Sequence, residues 1–429
     1  MPRSQENRLF AVETELGEDV FAIRRLQGED ELSRPFRYCI HLQSEEHNID
    51  FNDLIGTNVT VRLEQPNEGT RYFNGFVRAF RRTGLAHNSE LMIYQAELVP
   101  WLWFLTRTSD CRIFQDVTLT DVLEQIFEDQ NFSDYRLELN DTYPEWEFCV
   151  QYRETAFNFV SRLMEEMGVL YYFVHENGRH EMVITDSPGT LTPWPGYEEI
   201  PFRGPAQSIA PGEYIAGWIP EQALQSGSYS LNDFDFEVPT KNLRTASAME
   251  RSHAAADFEQ YDYPGRFVEY DDGDRLARVR LEELPVGYRT VDGRSNARGI
   301  CPGFTFHLTD HPDVSDSVDF LTVRARYDIG PEIPQSDDFD EEEFLVGFTA
   351  IDAAEHYRPP RRSRKPCVEG PQTATVVGPS GEEIHTDEYG RVICQFHWDR
   401  HGQSDENSSC WIRVAQVWAG KNWGAMAIP

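Results

Sequence analysis

The sequence predicts a mainly β protein of several domains, with an α+β region in its interior. Its 429 residues suggest roughly two to four domains. Apolar residues recur at every second position over much of the chain, which is typical of half-buried strands. The helical period of about 3.6 residues occurs only in short segments after Pro100. With 40% hydrophobic and 13% aromatic residues, the chain has ample material for packed cores.

Residues 1–100 are predicted to form a first β module. Four of its segments alternate between apolar and polar residues: 36–42, 59–63, 72–80 and 91–100. Turn-like stretches at 65–69 and 84–89 separate these segments. A meander or a small barrel is the architecture that such a series of short strands favours.

Residues 101–204 are predicted to form an α+β region. Thr120 is predicted to cap a first helix, whose apolar face carries Val122, Leu123, Ile126 and Phe127. A second helix is predicted over 156–167, where the apolar residues again share one face. Gly168 ends it. Two apolar runs then flank Asn177-Gly178, which is a strong short-range signal for a β-hairpin.

Strand-like runs return in residues 205–357, with two helices predicted around 246–256 and 275–283. The acidic run at 337–343 is predicted to be a solvated loop. Residues 358–371 are predicted to be a linker, because their prolines prevent regular structure. The cations of this linker are Arg358, Arg361, Arg362, Arg364 and Lys365.

Residues 372–429 are predicted to contain the opening strands of a small barrel. The segment 391–398 alternates with Val392, Cys394, Phe396 and Trp398 on one face, and a second strand is predicted over 409–418. Gly378-Pro379-Ser380-Gly381 is interpreted as a hairpin turn. The segment is short for a closed five-stranded barrel, so the barrel is predicted to be incomplete.

The charge of the chain excludes some classes of partner. There are 39 Lys+Arg against 73 Asp+Glu, a formal net charge of −34. A body this acidic repels nucleic acid and anionic membrane surfaces. No run approaches the ~20 apolar residues of a membrane-spanning helix, and the N-terminal stretch lacks the apolar core of a secretory signal. Synthesis and initial residence in the cytoplasm are therefore expected.

Candidate catalytic and cofactor sites are scarce. We find no GxGxxG, Walker loop, GxSxG or HExxH motif, so no catalytic residue and no cofactor is predicted. The seven cysteines are widely spaced, without a CxxC pair, and each is interpreted as a small buried residue. His175, His180 and Glu181 could ligate a metal, but they flank the predicted hairpin turn, where solvent exposure is the favoured interpretation.

Three further clusters have competing interpretations. Trp101, Trp103 and Phe104 could stack on a sugar, although a domain-junction core is favoured. The acidic stretch Asp271–Asp274 lacks the spacing of a calcium loop and is interpreted as the first turn of a helix. The carboxylates of the last loop could attract a cation, but an exposed polar loop is the favoured interpretation. They are Asp399, Asp405 and Glu406.

Several strings together resemble the VgrG family, the spike or tip proteins of the bacterial type VI secretion system. They occur in the family's order and extend over essentially the whole chain: PWLWFLTRTSDCRIFQ (100–115), FNFVSRLMEE (157–166) followed by Gly168, DEYGR (387–391), FHWDR (396–400), ENSSCWIRV (406–414) and WAGK (418–421). Motifs of this length are specific.

The resemblance implies an architecture of two barrel-like hub modules, in 1–100 and 205–357, around the α+β region 101–204. The linker 358–371 then leads to the start of an OB-fold neck at 372–429. Because VgrG proteins continue into a β-helical needle, the resemblance also implies that this chain is a truncated part of a longer protein. A natural stop codon directly after Pro429 in the source reading frame would contradict that expectation.

The resemblance further implies a set of partners. A homotrimer with two modules per chain presents a pseudo-sixfold base to the hexameric tube protein Hcp. Baseplate components, a PAAR-repeat protein and needle-bound effectors are the other expected partners, the last two through the part beyond residue 429. Assembly in the bacterial cytoplasm followed by export into a target cell or the medium is the expected localisation.

The alternatives to a structural spike are a spike with an enzymatic effector domain beyond residue 429 and a carbohydrate-binding adhesin. Exposed rings at Trp101 and Trp103 would favour the adhesin, and buried rings would favour the hub. No catalytic residue is predicted within this chain. The candidate interface or fold-stabilising residues are those of the family motifs: Trp101, Arg107, Asp110, Arg112, Tyr389, Arg391, Trp398, Arg400, Trp411 and Arg413.

Overall fold

The computed structural model confirms a mainly β protein with an α+β region. It describes residues 5, 8–17, 19–66, 69–86, 90–204, 211–249, 253–254, 256–314, 318–331 and 342–415. The chain divides into two compact units. The first unit comprises Met1–Trp103, Phe132–Thr142 and Met164–Arg361, and the second comprises Phe104–Asn131, Tyr143–Leu163 and Arg362–Pro429.

The N-terminal hundred residues are strands, as predicted. Their bounds are β1 (Phe10–Thr14), β2 (Ala22–Glu31), β3 (Arg37–Ser44), β4 (Asn58–Glu64), β5 (Thr70–Leu85) and β6 (Met92–Val99). A short 3₁₀ helix lies at Phe51–Asp53, and a second one at Trp101–Arg107. The four predicted alternating segments correspond to β3, β4, β5 and β6, so the period of two placed each strand correctly.

The next region contains both helices and strands. Its elements are β7 (Ser109–Phe114), α1 (Leu119–Glu128), β8 (Tyr135–Glu138), β9 (Cys149–Thr155), α2 (Ala156–Met167), β10 (Leu170–Glu176) and β11 (Arg179–Thr185). The predicted helices, the stop at Gly168 and the hairpin around Asn177-Gly178 are confirmed.

The predicted cap of α1 was wrong by two residues. Thr118, and not Thr120, is the N-cap, and its side chain accepts a hydrogen bond from the backbone N–H of Asp121. The Asp121 carboxylate accepts the backbone N–H of Thr118 in return, at 2.8 Å. This reciprocal capping box satisfies two otherwise unpaired donors. Thr120 cannot form one, because the residue three positions later is Leu123.

The third region runs to Asp352. Its elements are β12 (Glu199–Pro201), β13 (Ile215–Gln222), β14 (Ser228–Leu231), β15 (Thr245–Ala248), β16 (Glu259–Asp262), α3 (Tyr270–Glu283), β17 (Arg289–Ser295), β18 (Thr305–Thr309), β19 (Asp319–Pro331) and β20 (Glu342–Asp352). Short 3₁₀ helices also lie at Pro188–Thr190 and Leu284–Gly287.

The two helices predicted for this region had different outcomes. The helix around 275–283 is confirmed as α3, with Asp271 and Asp272 in its first turn as the acidic stretch predicted. The helix predicted around 246–256 was wrong, because β15 begins that segment and pairs with β14. Pairing with a neighbouring strand outweighs the helical preference of the alanines there. Most of the acidic run 337–343 lies outside the described residues.

The last part of the chain contains β21 (Ala374–Val377) and β22 (Ile393–Phe396), which pair antiparallel. β22 is shorter than the predicted strand 391–398. Of the strand predicted over 409–418, the described residues form only an isolated bridge between Val392 and Ile412, and residues 416–418 lie outside the described part. The segment 358–371 has no regular secondary structure, as its prolines predicted.

One large sheet dominates the first unit. Among the described residues its main path is β1-β4-β5-β6-β3-β2-β19-β20-β17-β13, with β12 and β18 attached beside β19. The step from β2 to β19 joins N-terminal strands to much later ones. Arg324 of β19 lies opposite Glu31 of β2, and their side chains form an ion pair at 2.7 Å. The sheet is therefore continuous across the two predicted β modules.

The β10–β11 hairpin and its parallel neighbour β8 form a smaller sheet. An apolar core lies between this hairpin and the large sheet: its members include Leu32, Leu170, Tyr172, Val183, Leu321, Val323 and Ile351. Strands β15, β14 and β16 form another small sheet, against which α3 packs. In the second unit β7 pairs with β9.

The cysteines only partly follow the prediction that all are buried. Cys149, Cys301 and Cys394 are buried, three others are half-buried, and Cys367 is exposed in the irregular segment before β21. All seven are free thiols. None of the helices in the described part of the chain has the length and hydropathy of a membrane-spanning segment.

Replacing Gly168 by alanine is expected to destabilise the first unit by more than about 1 kcal/mol. Gly168 has φ +75°, and an added Cβ would lie 2.5 Å from Cγ1 of Val279. Gly178 is the matched control, because its φ is +80° and an added Cβ meets nothing within 4 Å. Urea unfolding should show the larger loss for Gly168→Ala. Equal losses for the two variants would mean that the Val279 contact contributes nothing.

Candidate functional site

The structure brings together part of the set of ten motif residues. Trp101 lies in the first unit, whereas the other nine lie in the second. Asp110 of β7 and Arg400 are 290 positions apart in the sequence, and a hydrogen bond of 2.7 Å joins the Arg400 guanidinium to Oδ2 of Asp110. The early motif and the late motif therefore meet at this carboxylate.

Asp110 is held by three donors. Oδ2 also lies 3.0 Å from Nε2 of His401, and Oδ1 accepts the backbone N–H of Cys111 at 2.8 Å. Burial by itself opposes ionisation of Asp110, but the hydrogen bonds from Arg400, His401 and Cys111 outweigh it and lower the pKa to about 2. Asp110 is therefore an anion at neutral pH, with its charge already matched by its neighbours.

A polar cavity of about 420 Å³ lies beside this cluster, entirely within the second unit. Its charged lining residues are Arg107, Asp110, Arg112, Asp129 and Arg400. Arg112 pairs with Asp129 at 2.5 Å and lies over the ring of Phe114. Arg107 is exposed and donates to Oγ1 of Thr106 at 2.9 Å. The Arg112–Asp129 and Arg400–Asp110 pairs suit a structural ion-pair cluster.

The DEYGR motif forms a turn that Asp387 closes. Its carboxylate accepts the backbone N–H groups of Tyr389 and Arg391 at 3.0 and 2.8 Å, and the guanidinium of Arg391 at 2.5 Å. Gly390 has φ +71°, and the Arg391 side chain lies over the Tyr389 ring. Arg391 and Tyr389 therefore contact each other within this turn, and Tyr389 is 46% exposed.

The two motif tryptophans of the last block pack against other parts of the second unit. Trp398 stacks on Phe396 with centroids 5.0 Å apart, and its Nε1 donates to Oε1 of Gln372 at 3.0 Å. The ring of Trp411 lies 5.0 Å from that of His385. Both tryptophans are half-buried, and Arg413 is exposed. Each tryptophan therefore contacts a side chain elsewhere in the last block.

The sequence predicted an exposed polar loop here, but the last loop is only partly exposed. Asp399 is buried, and its Oδ1 accepts the backbone N–H groups of His401 and Gly402 at 3.0 and 3.2 Å. It closes a tight turn and thereby orients Arg400 and His401 toward the Asp110 cluster. Within the described residues no group of three or more His, Cys, Asp or Glu side chains is arranged to hold a metal ion.

Trp101 is buried in the first unit. Only 2% of the residue is exposed, its ring stacks on Phe132, and its Nε1 donates to the carbonyl oxygen of Asp134 at 3.2 Å. Trp103 is half-buried beneath the guanidinium of Arg78. By the criterion of ring exposure, Trp101 is a core residue and not a sugar-stacking platform.

His175 and His180 are buried, so their predicted exposure was wrong. They are cross-strand partners of the hairpin, and 8% and 2% of the two residues are exposed. The backbone N–H of Trp101 donates to Nε2 of His180, so the proton lies on Nδ1, which donates to Oδ1 of Asn74 at 2.8 Å. Burial lowers the pKa of His180 to about 3.

The buried histidines belong to a larger polar network that the sequence analysis missed. Tyr38 lies between His175 and Asp30, with its hydroxyl 3.3 Å from Nε2 of His175 and 3.4 Å from Oδ2 of Asp30. Burial raises the pKa of Asp30 to about 7, against the opposing attraction of Arg71. The sequence did contain a signal for this network, because a polar residue stands on the apolar face of a strand that alternates between apolar and polar residues.

Arg71 is the cation of this network. Its guanidinium donates to the carbonyl oxygens of Arg298 and Ile300 at 2.5 and 3.2 Å, and to the Tyr327 hydroxyl at 2.8 Å. Only 2% of Arg71 is exposed. Because Arg71 lies on β5, these bonds tie an N-terminal strand to the 298–300 segment and to β19.

Asp30→Asn is expected to make the stability of the first unit fall more steeply with acidification between about pH 4 and 6.5. The unfolded chain protonates His175 and His180 near 6.5, whereas their native pKa values are lowered. Native Asp30 keeps a proton up to about pH 7 that the unfolded chain releases near 3.8. The proton that Asp30 releases on unfolding therefore offsets one of the two protons that the histidines take up.

Removing that offset adds about 1.4 kcal/mol per pH unit to the slope of unfolding free energy against pH. Urea titrations at several pH values measure it. Glu29→Gln is the control, because Glu29 lies on the same strand with an exposed side chain. Parallel pH profiles for wild type and Asp30→Asn would show that Asp30 is ionised in the native protein.

Comparison with known families identifies the class of protein. A family model described as the phage tail baseplate hub (GPD) matches residues 29–332. Among solved structures, the E. coli c3393 protein, a component of the type VI secretion system with structural similarity to the T4 bacteriophage tail proteins gp27 and gp5, superposes with a TM-score of 0.66. It is 19% identical, and the match covers 94% of this chain and 92% of that one. The fold is that of a tail hub.

Curated relatives extend over nearly the whole chain. The type VI secretion system spike protein VgrG1b of Pseudomonas aeruginosa is 45% identical, over 100% of this chain and 58% of its own length. VgrG1a of the same organism is 43% identical, over 99% of this chain and 66% of its own length. The actin cross-linking toxin VgrG1 of Vibrio cholerae is 32% identical, and the match covers 98% of this chain and 39% of the toxin.

These matches settle the family. The chain belongs to the phage tail baseplate hub family and, within it, to the VgrG spike proteins of the type VI secretion system. It spans about three fifths of the length of the first two spike proteins it matches, 58% in each case. A chain of the solved Francisella PdpA-VgrG complex superposes with a TM-score of 0.58 at 10% identity, covering 95% of this chain and 64% of that one.

Proposed function

We propose that this chain forms the hub and the beginning of the neck of a type VI secretion spike, a structural tip that punctures target cells and delivers effectors. The observation that carries the proposal is the 45% identity to a spike protein over the full chain. The continuous large sheet suits the role. A part that transmits force gains from one sheet whose N-terminal and later strands are directly hydrogen-bonded, as β2 and β19 are.

We further propose the architecture of two barrel-like hub modules, 1–100 and 205–357, flanking the α+β region 101–204. The linker 358–371 leads to an incomplete OB-fold in 372–429. The β21–β22 pair and the Val392–Ile412 bridge support the last assignment. The irregular backbone between Tyr357 and β21 supports the linker.

The proposed assembly is a homotrimer. Two β modules in each of three chains present six similar surfaces to the Hcp hexamer, which reconciles a threefold tip with a sixfold tube. Baseplate components, a PAAR-repeat protein and needle-bound effectors complete the partner set. Assembly takes place in the bacterial cytoplasm, and contraction then carries the protein into a target cell or the medium. The net charge of −34 suits a protein that avoids nucleic acid.

Within this chain we propose no enzymatic activity. The motif residues engage one another or the surrounding core, as Asp110 does with Arg400 and Trp101 with Phe132. The relative named as an actin cross-linking toxin is matched over 39% of its length, so an effector domain beyond the matched part is the alternative for a longer form of this protein. Burial of Trp101 argues against the adhesin.

The native mass of the purified chain tests the proposal. Light scattering should give three times the chain mass of 49.6 kDa, or a single-chain mass that rises, when purified Hcp hexamers are added, to that of three chains plus the bound hexamer. An acidic protein of similar mass serves as the control for non-specific association with Hcp. A single-chain mass that Hcp leaves unchanged contradicts a self-sufficient hub.

A further inference from the structure

The small sheet β15-β14-β16 has an open edge. β16 pairs in parallel with β14, and no other strand in the described part of the chain pairs with it. All four residues of β16 are exposed, and so are the residues around it from Asp257 to Pro264. An open edge presents unpaired backbone N–H and C=O groups, which another extended segment can use.

Large apolar side chains surround this edge. Phe258 and Tyr261 are 58% and 56% exposed, and Tyr263 is 55% exposed. Phe234 is 54% exposed and lies nearby, because the 263–267 turn is bonded to its loop: the N–H of Gly265 donates to the carbonyl oxygen of Asn232 at 2.9 Å. An aromatic residue that stays exposed costs hydrophobic free energy, so a group of them marks an interaction surface.

The segments that form and flank this small sheet are strongly acidic. Residues 228–249 and 256–274 carry ten carboxylates and three cations. The carboxylates are Asp233, Asp235, Glu237, Asp257, Glu259, Asp262, Glu269, Asp271, Asp272 and Asp274. Each cation already pairs with a carboxylate: Lys241 with Glu269, Arg244 with Glu259 and Arg266 with Glu166. These two segments therefore carry seven more carboxylates than Lys and Arg cations. We call β16 with these flanking aromatic and acidic residues the acidic-aromatic surface.

We propose that the acidic-aromatic surface binds an extended, lysine- or arginine-bearing segment of a partner protein, which adds to β16 as a new strand. The open edge supplies the backbone hydrogen bonds. The exposed rings supply apolar and cation–π contacts, and the carboxylates supply charge complementarity. This binding site goes beyond the proposed tip function, and nothing in that function requires it.

Charge also argues against the simplest competing occupant. A twofold contact between two copies of this surface would bring two acidic edges together, whereas the threefold assembly proposed above would place a different surface of the neighbouring copy there. Like charges across an interface are unfavourable. Acidic residues on an edge strand also have a purely protective role, because they prevent unwanted pairing. The experiment below distinguishes all three cases.

The probe is a fluorescein-labelled ten-residue peptide of alternating lysine and valine, titrated with the full chain and followed by fluorescence anisotropy. A glutamate–valine peptide tests the charge requirement. A lysine–valine peptide N-methylated at alternate residues keeps the charge but cannot complete the strand pairing. We expect saturable binding of the first peptide alone, weakening as ionic strength rises.

Two double variants test the surface. Phe258→Ser/Tyr261→Ser and Asp257→Asn/Asp262→Asn should each weaken binding by about tenfold, since a few anchors carry most interface energy. Leu85→Ser is the matched control, because Leu85 is 59% exposed on β5 and lies outside this sheet. The variants should keep the wild-type melting temperature and native mass.

Any one of three other results would overturn the proposal. Absence of peptide binding assigns the charges a protective role only. Equal binding of the N-methylated peptide means non-specific charge attraction. A change of native mass in Phe258→Ser/Tyr261→Ser means that the surface is an interface between copies. None of these results alters the Hcp test, so failure here is distinguishable from failure of the proposed function.

Discussion

Arg71→Met is expected to lower the unfolding free energy of the first unit by about 3–5 kcal/mol, because it removes the donor from three buried acceptors and each buried polar group left without its partner costs about 1–3 kcal/mol. The variant leaves the carbonyl oxygens of Arg298 and Ile300 and the hydroxyl of Tyr327 without the guanidinium donor. It also removes the cation that favours ionisation of the buried Asp30. Since domains are stable by only about 5–15 kcal/mol, the loss is a large fraction of the total.

Urea unfolding of the purified chain measures this effect. Arg71→Lys should fall between the wild type and Arg71→Met, because a lysine ammonium keeps the charge but lacks the planar fork. Arg81→Ala is the control on the same strand. Its guanidinium bonds Gln95 at an exposed position, so a loss below about 1 kcal/mol is expected. A comparably small loss for Arg71→Met would mean that water satisfies the buried acceptors.

Arg162→Met is expected to destabilise the second unit by a similar amount, about 3–5 kcal/mol. Arg162 and Glu154 expose only 6% and 5% of their side chains. The guanidinium donates to both carboxylate oxygens of Glu154 and to the carbonyl oxygen of Val150 at 2.8 Å. Without Arg162, a buried carboxylate loses its cation and keeps Asn158 as a side-chain donor.

The double variant Glu154→Leu/Arg162→Met separates the cost of an unpaired charge from the cost of lost packing. Apolar replacement of a whole buried pair is often neutral or stabilising, so the double variant should be more stable than Arg162→Met alone. Arg364→Ala is the exposed control, because Asn158 bonds the backbone carbonyl of Arg364, which alanine retains. Additive losses in the double variant would contradict the assigned coupling.

The residues that carry the family resemblance differ in their contacts and in their exposure. Asp387, Gly390 and Arg391 form one closed turn, and Trp398 packs within its own unit. We propose that these contacts give much of the motif set a fold-stabilising role. Arg107, Tyr389, Arg400 and Arg413 are the exposed members of the set.

Some local structure could be predicted from the sequence, because it depends on residues that lie close together in the chain. The stop of α2 at Gly168 follows from a backbone with φ +75°, which glycine adopts without steric cost. The hairpin follows from the turn preference of Asn177-Gly178. The Thr118 capping box could also have been predicted, since Thr118 and Asp121 have the required spacing. Thr120 was predicted as the cap instead.

The sequence by itself determined the mainly β class, the alternating strands of the first hundred residues, the two amphipathic helices of the α+β region and the family. Those features rest on periodicity and on turn and cap chemistry, which act over a few residues. Only the tertiary structure decided that His175 is buried, that Arg71 reaches Tyr327, and that Asp110 meets Arg400. Each of these depends on a partner 101 to 290 positions away, and a side chain's environment is set by what packs against it and not by its own strand.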